Sequence, residues 1–267
     1  SFKLGKGIIS TFFGKNRLSK IDFKSKGVKK ELTELAKEFI VSIQEMDSYI
    51  NPKENYTFIT SEKGFIPCFA IFEYCIENRI DFIEWKPAPK NNHITLKRFN
   101  KKNQDDHPFS LNKEKYQNFV SLIDKNKAIK TIDIMMNEKY KNNDWYLRDQ
   151  YRAQTKKFNQ TDIRSLLDFD DRPICTIFSH ILWDATFFYG KNLHADYTEW
   201  LIDVIQNASK NKNCQFLLKL HPDYHWKQDQ HSGLLEEPEL LDDLFIDIPE
   251  NIRILGPDTQ FNTYDIF

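Results

Sequence analysis

Glycine is scarce in this 267-residue chain: eight residues, none adjacent to another. A glycine-rich phosphate loop has little to be built from. Gly5-Lys-Gly7 lacks both the third glycine and the preceding strand of a dinucleotide-binding turn. Cysteine is nearly as thin. Cys68, Cys75, Cys175 and Cys214 form no C-x-x-C pair, so a zinc ribbon is excluded. Each lies in an apolar run, as small buried hydrophobes do, and their use fits a reducing compartment. There is no excess of either charge: 38 basic against 39 acidic residues, a net of -1. That points away from nucleic acid and from a strongly acidic substrate. No apolar run is long enough to span a bilayer and no signal peptide is present. H-E-x-x-H and G-x-S-x-G are both absent, which removes the metalloprotease helix and the serine-hydrolase elbow. The expectation is a cytoplasmic protein, with peripheral contact at an inner membrane left open.

What is present is enough hydrophobic sequence (40%) for a substantial core, set among 29% charged residues. The stretch Ile174 to Pro222 organises the chain. Ile174–Phe178 and Gln215–Leu220 read as buried strands. Between them Trp200, Leu201, Val204, Ile205 and Ala208 recur at helical spacing. Strand, helix, strand in this length predicts a βαβ unit with parallel strands, whose ligands bind beyond the carboxyl ends. Both ends carry polar chemistry: Ser179, His180 and Asp184 after the first strand, Lys219, His221 and Pro222 at the second.

The first half predicts a second α/β unit. Ile8, Ile9, Phe12 and Phe13 suggest a short helix packed on a domain, a simpler reading than a basic membrane anchor. Val28–Ile50 is a helix by periodicity, Tyr56–Thr60 a strand, Pro67–Ile76 a buried helix and Ile80–Trp85 a second strand. Ile94–Phe99 leads into a polar loop, Asn100–Phe109. Ser110 is expected to cap a helix through Tyr116, Phe119 and Ile123, followed by a long helical region from Lys127 to about Lys157. Asp170-Asp-Arg-Pro173 reads as the crossing into the second domain, giving boundaries of 1–170 and 171–267. A third strand is expected at Ile252–Leu255. Because two or three parallel strands leave their faces uncovered, the C-terminal domain is expected to continue past Phe267.

The chemistry rests on few residues. Pro222 restricts His221 to extended geometry and holds it at a strand tip, where its nitrogens suit phosphate or ribose oxygens; a histidine that only orders a turn is the plain alternative. Lys219 alternates away from Leu218 and Leu220. Asp184 suits a general base, or equally the N-cap of the next segment. Ser179 and His180 are adjacent, so their side chains diverge, and no hydrolase triad follows. His221 and His225 are four apart, but Pro222 and the expected loop argue against one helical face, and with His231 beyond them no metal site is expected. The 100–109 loop is a solvated surface loop or one wall of a substrate cleft.

Ser179–Gly190, Tyr197-Thr-Glu-Trp-Leu201, Leu217–Pro222 and Ile248–Asp258 together resemble the capsule polysaccharide biosynthesis protein family, over about residues 172–267. The loop Leu96–Ser110 resembles the same proteins. That family is similar to bacterial sugar transferases of the GT-B fold, many of which use CMP-activated Kdo or sialic acid. The resemblance implies two Rossmann-like α/β domains, the second incomplete here, and a metal-independent glycosyltransferase of surface polysaccharide synthesis without a cofactor. Its donor would be a nucleotide sugar and its acceptor a glycan or lipid-linked glycan, with contact to an inner membrane or polysaccharide-export complex compatible. It places His221 and Pro222 on the donor nucleotide, with Lys219, Ser179 and His180 beside them. Asp184 is the candidate base, and Arg98, Asp106 and His107 are candidates for the acceptor. The family's Gly/Ser/Thr-rich donor turn is absent from this chain, and its N-terminal acidic motif is not found. A glycerol- or ribitol-phosphate transferase of teichoic-acid type, a sugar-nucleotide epimerase and a non-catalytic glycan-binding subunit are the rival readings.

Overall fold

The computed structural model describes residues 3–51, 53–141, 160–184, 187, 193–221, 248–256 and 259. Among them the chain is mixed α/β, with two three-stranded sheets.

The first sheet joins β1 (Thr57–Thr60), β2 (Asp81–Pro87) and β3 (Ile94–Phe99). β1 and β2 are parallel and joined through α3 (Cys68–Asn78), as the strand-helix-strand pattern predicted. β3 is antiparallel to β2, pairing Lys97 with Glu84 and Phe99 with Phe82. The sequence reading left this segment as a lead-in to the loop. Its alternation is visible in the structure, where Phe99 is buried while Leu96 and Arg98 face outward.

α3 lies on the sheet, and two further helices pack on α3 and on each other. α1 (Leu4–Asn16) buries Phe12 and Phe13, so the N-terminal segment is a core helix and not a surface anchor. α2 (Lys26–Tyr49) buries Leu35, Phe39 and Met46 in the same core, starting two residues before the predicted Val28. Phe72 links helix to sheet, its ring meeting Phe82 and Phe99 edge-on at 5.0 and 5.7 Å.

α4 (Lys113–Leu122) is capped by Asn112, whose side chain accepts the Lys115 N–H at 2.7 Å. Ser110, the predicted cap, instead donates to the His107 carbonyl at 2.8 Å, because it closes the preceding loop. α5 spans Lys125–Tyr140. The predicted continuation to Lys157 falls outside the described residues beyond Lys141.

The second sheet contains β4 (Ile174–Phe178), β5 (Gln215–Lys219) and β6 (Ile252–Leu255), all parallel, with β5 central. It follows α6 (Gln160–Leu166) and a tight turn in which Arg172 forks onto the Asp170 carboxylate at 2.7 and 2.9 Å. β5 is buried along its whole length. β4 is an edge strand and only half buried. Cys175 is therefore exposed, which corrects the expectation that every cysteine is a buried hydrophobe.

α7 (Tyr197–Lys210) crosses between β4 and β5. Asp196 caps it by accepting the Glu199 N–H at 2.8 Å, and Glu199 reaches back to the Ala195 N–H at 2.6 Å. Leu201, Ile205 and Ala208 pack on Phe216, Leu218 and Ile252. Asn251 ties the far end: its side-chain amide donates to Ala208 O at 3.0 Å and Asn211 O at 2.9 Å, while its carbonyl accepts the Phe216 N–H. One fully buried asparagine thus ties two carbonyls at the end of α7 to the central strand; the Ala208 carbonyl also accepts the Asn211 N–H at 3.1 Å. The segment after β4 also reaches the first core, where Trp183 and Phe187 pack, with the Phe187 ring 6.0 Å from Phe13.

Candidate functional site

The carboxyl ends of β4 and β5 lie side by side because Phe178 pairs with Lys219 in the parallel register. One residue further the ladder ends in a side-chain link. The Ser179 N–H donates to Lys219 O at 3.0 Å, and the His221 N–H donates to Ser179 Oγ at 3.0 Å. Ser179 is buried, so its hydroxyl replaces the backbone acceptor that the parallel ladder would otherwise supply.

His180 lies flat on the Tyr197 ring, with centroids 4.2 Å apart and 19° between planes, and its centroid is 6.3 Å from that of His221. Its Nδ1 is 2.9 Å from Ile181 O. A carbonyl only accepts, so Nδ1 carries the proton and Nε2 is the acceptor in the neutral ring. Asp184 closes a turn by donating its N–H to Ile181 O at 3.2 Å. Burial holds the Tyr197 hydroxyl above the usual phenol range, and the charge of Asp184 adds to that. Asp184 therefore lies near enough to Tyr197 for its charge to be felt there. The cap of the following helix is Asp196, not Asp184.

Lys219 behaves differently. Phe216, Leu218 and Leu220 face α7, while Leu217 packs with Phe169 and Leu255 on the opposite side. Lys219 shares the side of Leu217 by strand alternation. It is 95% buried, since only 5% of its surface is exposed, and burial holds its ammonium below the ordinary lysine range. Among the described residues it has no carboxylate partner. A buried unpaired cation is costly unless an anion is brought to it. Pro222, His225 and His231 fall outside the described residues.

The acceptor candidates divide. Arg98 points outward from β3 and pairs with Asp81 at 2.9 Å. Asp106 and His107 belong to a different group, built at the carboxyl end of β1 and along the covered face of β2 and β3. Lys97 donates to Ser110 O at 2.7 Å and lies 3.7 Å from Asp106. Lys63 donates to Gln104 O at 2.9 Å, with its ammonium 3.8 Å from the Phe99 ring centroid. Lys86 bridges Glu84 at 3.1 Å and Glu62 at 3.3 Å. His107 Nδ1 accepts the Phe109 N–H at 3.0 Å. Burial, then the charges of Lys63, Lys86 and Lys97, hold His107 below the usual imidazole range.

Sequence reasoning missed Lys63, Glu84 and Lys86 in this group, and Tyr197 at the other edge. Burial pushes Glu84 up while Lys86 and Lys63 oppose it, and it pulls Lys63 down to about 8. Glu84 and Lys86 alternate with Ile83 and Trp85 and so read as the solvated side of a strand, which leaves no sequence signal for a charged core face. Among the described residues, no three His, Cys, Asp or Glu side chains gather as a metal-holding group, and no helix is long and apolar enough to cross a membrane. Compared with protein-family models, with curated proteins and with solved structures, the chain matches none.

Proposed function

We propose that the protein is a metal-independent glycosyltransferase of GT-B type that moves a sugar from a nucleotide donor, CMP-linked acidic sugars foremost, to a surface glycan or its lipid-linked precursor. The observation that carries this reading is the pair of histidines at the carboxyl edge of a wholly parallel sheet, with Ser179 tying the two strand tips together. Such an edge is where α/β sheets receive nucleotides. His221 and His180 offer imidazole nitrogens to the phosphate and ribose, and Lys219, which has no carboxylate partner among the described residues, supplies a buried cation close to the same edge. Fold analogy alone would be a weak basis; the reading also rests on the order of the motifs that resemble the capsule family.

In the proposed step the acceptor hydroxyl attacks the anomeric carbon. A new C–O bond forms as the bond from that carbon to phosphate breaks, and the nucleotide leaves with the electron pair. The acceptor proton goes to a carboxylate, for which Asp184 is the candidate at this edge. Charge on the leaving phosphate is met by His221 and neighbouring backbone amides. Asp106 and His107 form the acceptor wall, whereas Arg98, tied to Asp81 on the outer face, does not join them.

The test is a titration with CMP, UDP and CDP on the parent and on His221→Ala. Preferential CMP binding that weakens about tenfold or more in the variant supports the reading, a loss in line with removal of one charge-assisted contact. CDP-glycerol preference would move the assignment to a polyol-phosphate transferase. Absence of all nucleotide binding would overturn it in favour of a glycan-binding subunit.

A further inference from the structure

We propose that α4 and α5 form a docking surface for an anionic lipid bilayer: two short helices whose apolar stripes lie open beside exposed lysines with no carboxylate partner among the described residues. In α4, Tyr116, Phe119 and Val120 fall at i, i+3 and i+4 and are 57, 59 and 48% exposed. In α5, Ile129, Ile132 and Met136 fall at i, i+3 and i+7, again on one helical face, and are 56, 56 and 39% exposed. Spacing of this kind makes a stripe that a globular protein normally turns inward. Here α4 buries none of its residues, and neither helix packs broadly on another described element. Open apolar area on this scale marks an interaction surface.

Charge decides between occupants. Lys113, Lys115, Lys125, Lys127 and Lys130 are exposed, and none has a carboxylate at ion-pair distance among the described residues. From Lys113 to Lys141 seven lysines face four carboxylates, 7 − 4 = +3, in a chain whose total is -1. A lysine-bordered apolar stripe is what lies in the headgroup plane of an anionic membrane. At 10 and 16 residues the helices are too short to span a bilayer. The competing occupant is a second copy of the chain, whose first sheet has an open face with Ile59 and Leu96 65 and 59% exposed. The carboxylate on that face, Asp81, is already paired with Arg98, so it offers the lysines no surplus charge. The surface stands independently of the sugar-transfer reading, because neither helix carries a residue assigned to donor or acceptor.

The experiment is flotation of the full chain with phosphatidylcholine vesicles, with and without one quarter phosphatidylglycerol. The parent floats with the anionic vesicles and is released at high salt. Phe119→Asp combined with Ile132→Asp lowers the bound fraction about tenfold or more. The charge reversal Lys125→Glu, Lys127→Glu and Lys130→Glu removes the preference for phosphatidylglycerol. Far-ultraviolet circular dichroism of both variants matches the parent, since the substituted side chains are exposed. Failure of the parent to float, equal flotation on neutral vesicles, or flotation unchanged in both variants would each overturn the proposal. So would light scattering that shows the parent as a dimer and the apolar variant as a monomer without any membrane binding.

Discussion

The hydroxyl of Ser179 accepts the backbone N–H of His221 at 3.0 Å, across 42 residues of chain, and so fixes the tip of β5 to the tip of β4. The contact costs the ladder nothing, because the Ser179 N–H still donates to Lys219 O. Ser179→Ala leaves the His221 N–H without its acceptor in a part-buried place. The expected loss is about 1–3 kcal/mol in unfolding free energy, with a weaker nucleotide titration because His221 is no longer held. Ser179→Thr keeps the hydroxyl and recovers most of both. Denaturant unfolding and the titration check this. An alanine variant equal to the parent in both would show that the link positions nothing.

Lys219 separates stability from binding. Its ammonium is buried on the sheet face away from α7, and burial depresses its pKa. Replacing an unpaired buried charge with an apolar chain of similar length relieves a desolvation cost. Lys219→Met therefore raises the melting temperature of the free protein while lowering affinity for nucleotide. A variant that loses stability and keeps its affinity would mean the ammonium serves the fold and not a ligand.

Lys63 sets a pH dependence of definite sign. It is 2% exposed, and its pKa falls from 10.5 to about 8, chiefly through burial, with Glu84 the largest opposing charge. Between these values the unfolded chain holds a proton that the folded chain has lost, so stability rises with pH from about 8 to the ordinary lysine range; below about 8 the whole penalty is present. The shift corresponds to roughly 3 kcal/mol across that window. Lys219 shifts in the same direction. Lys63→Met flattens the Lys63 part of the slope in unfolding experiments at stepped pH. It also releases the Gln104 carbonyl, so the loop that carries Asp106 and His107 loosens.

Asp184 is testable without any substrate. Its charge is one of the causes that hold the Tyr197 hydroxyl high, second to burial. In Asp184→Asn the Tyr197 phenol ionises at lower pH in an ultraviolet titration, although still above its free value because burial persists. If Asp184 also takes the acceptor proton, turnover falls about 100- to 10,000-fold with nucleotide binding retained. A titration shift without a rate effect would keep Asp184 beside Tyr197 and remove it from the chemistry.

The β4–α7–β5 unit was legible in the sequence because its pattern is regular there: an apolar run, a helical stripe, a second apolar run. The placement of Ser179, His180 and His221 at one edge follows from parallel topology alone. What stayed hidden depends on tertiary contacts. Asn251 looks like a loop asparagine until α7 ends beside it. Glu84 and Lys86 look like the solvated side of a strand, since a charged core face appears only once α3 and the 100–110 loop cover it. β3 was missed because its outer residues, Ile94 and Leu96, are apolar, which blurs the alternation that marks a half-buried strand. Ser110 was expected to cap α4, but its hydroxyl closes the preceding loop on the His107 carbonyl, and Asn112 takes the cap instead.

The scarce glycines give the cleanest internal comparison. Gly5 and Gly7 both lie in α1, two residues apart, and helix propensity treats them alike. A Cβ on Gly5 meets nothing within 4 Å, so Gly5→Ala stabilises by about 0.5–1 kcal/mol through the unfolded chain. A Cβ on Gly7 would lie 2.1 Å from the Phe69 ring, a separation no real Cβ tolerates. Phe69 is 3% exposed and packed between the tilted rings of Phe39 and Phe72, with centroids at 6.0 and 6.4 Å, so its ring has little room to move. Gly7→Ala must then force α1 off α3, at a cost of about 1–3 kcal/mol or more. Thermal unfolding of the two variants side by side should shift in opposite directions. If Gly7→Ala proved as stable as Gly5→Ala, α1 would not be packed on α3 as described, and its burial of Phe12 and Phe13 in the first core would fail with it.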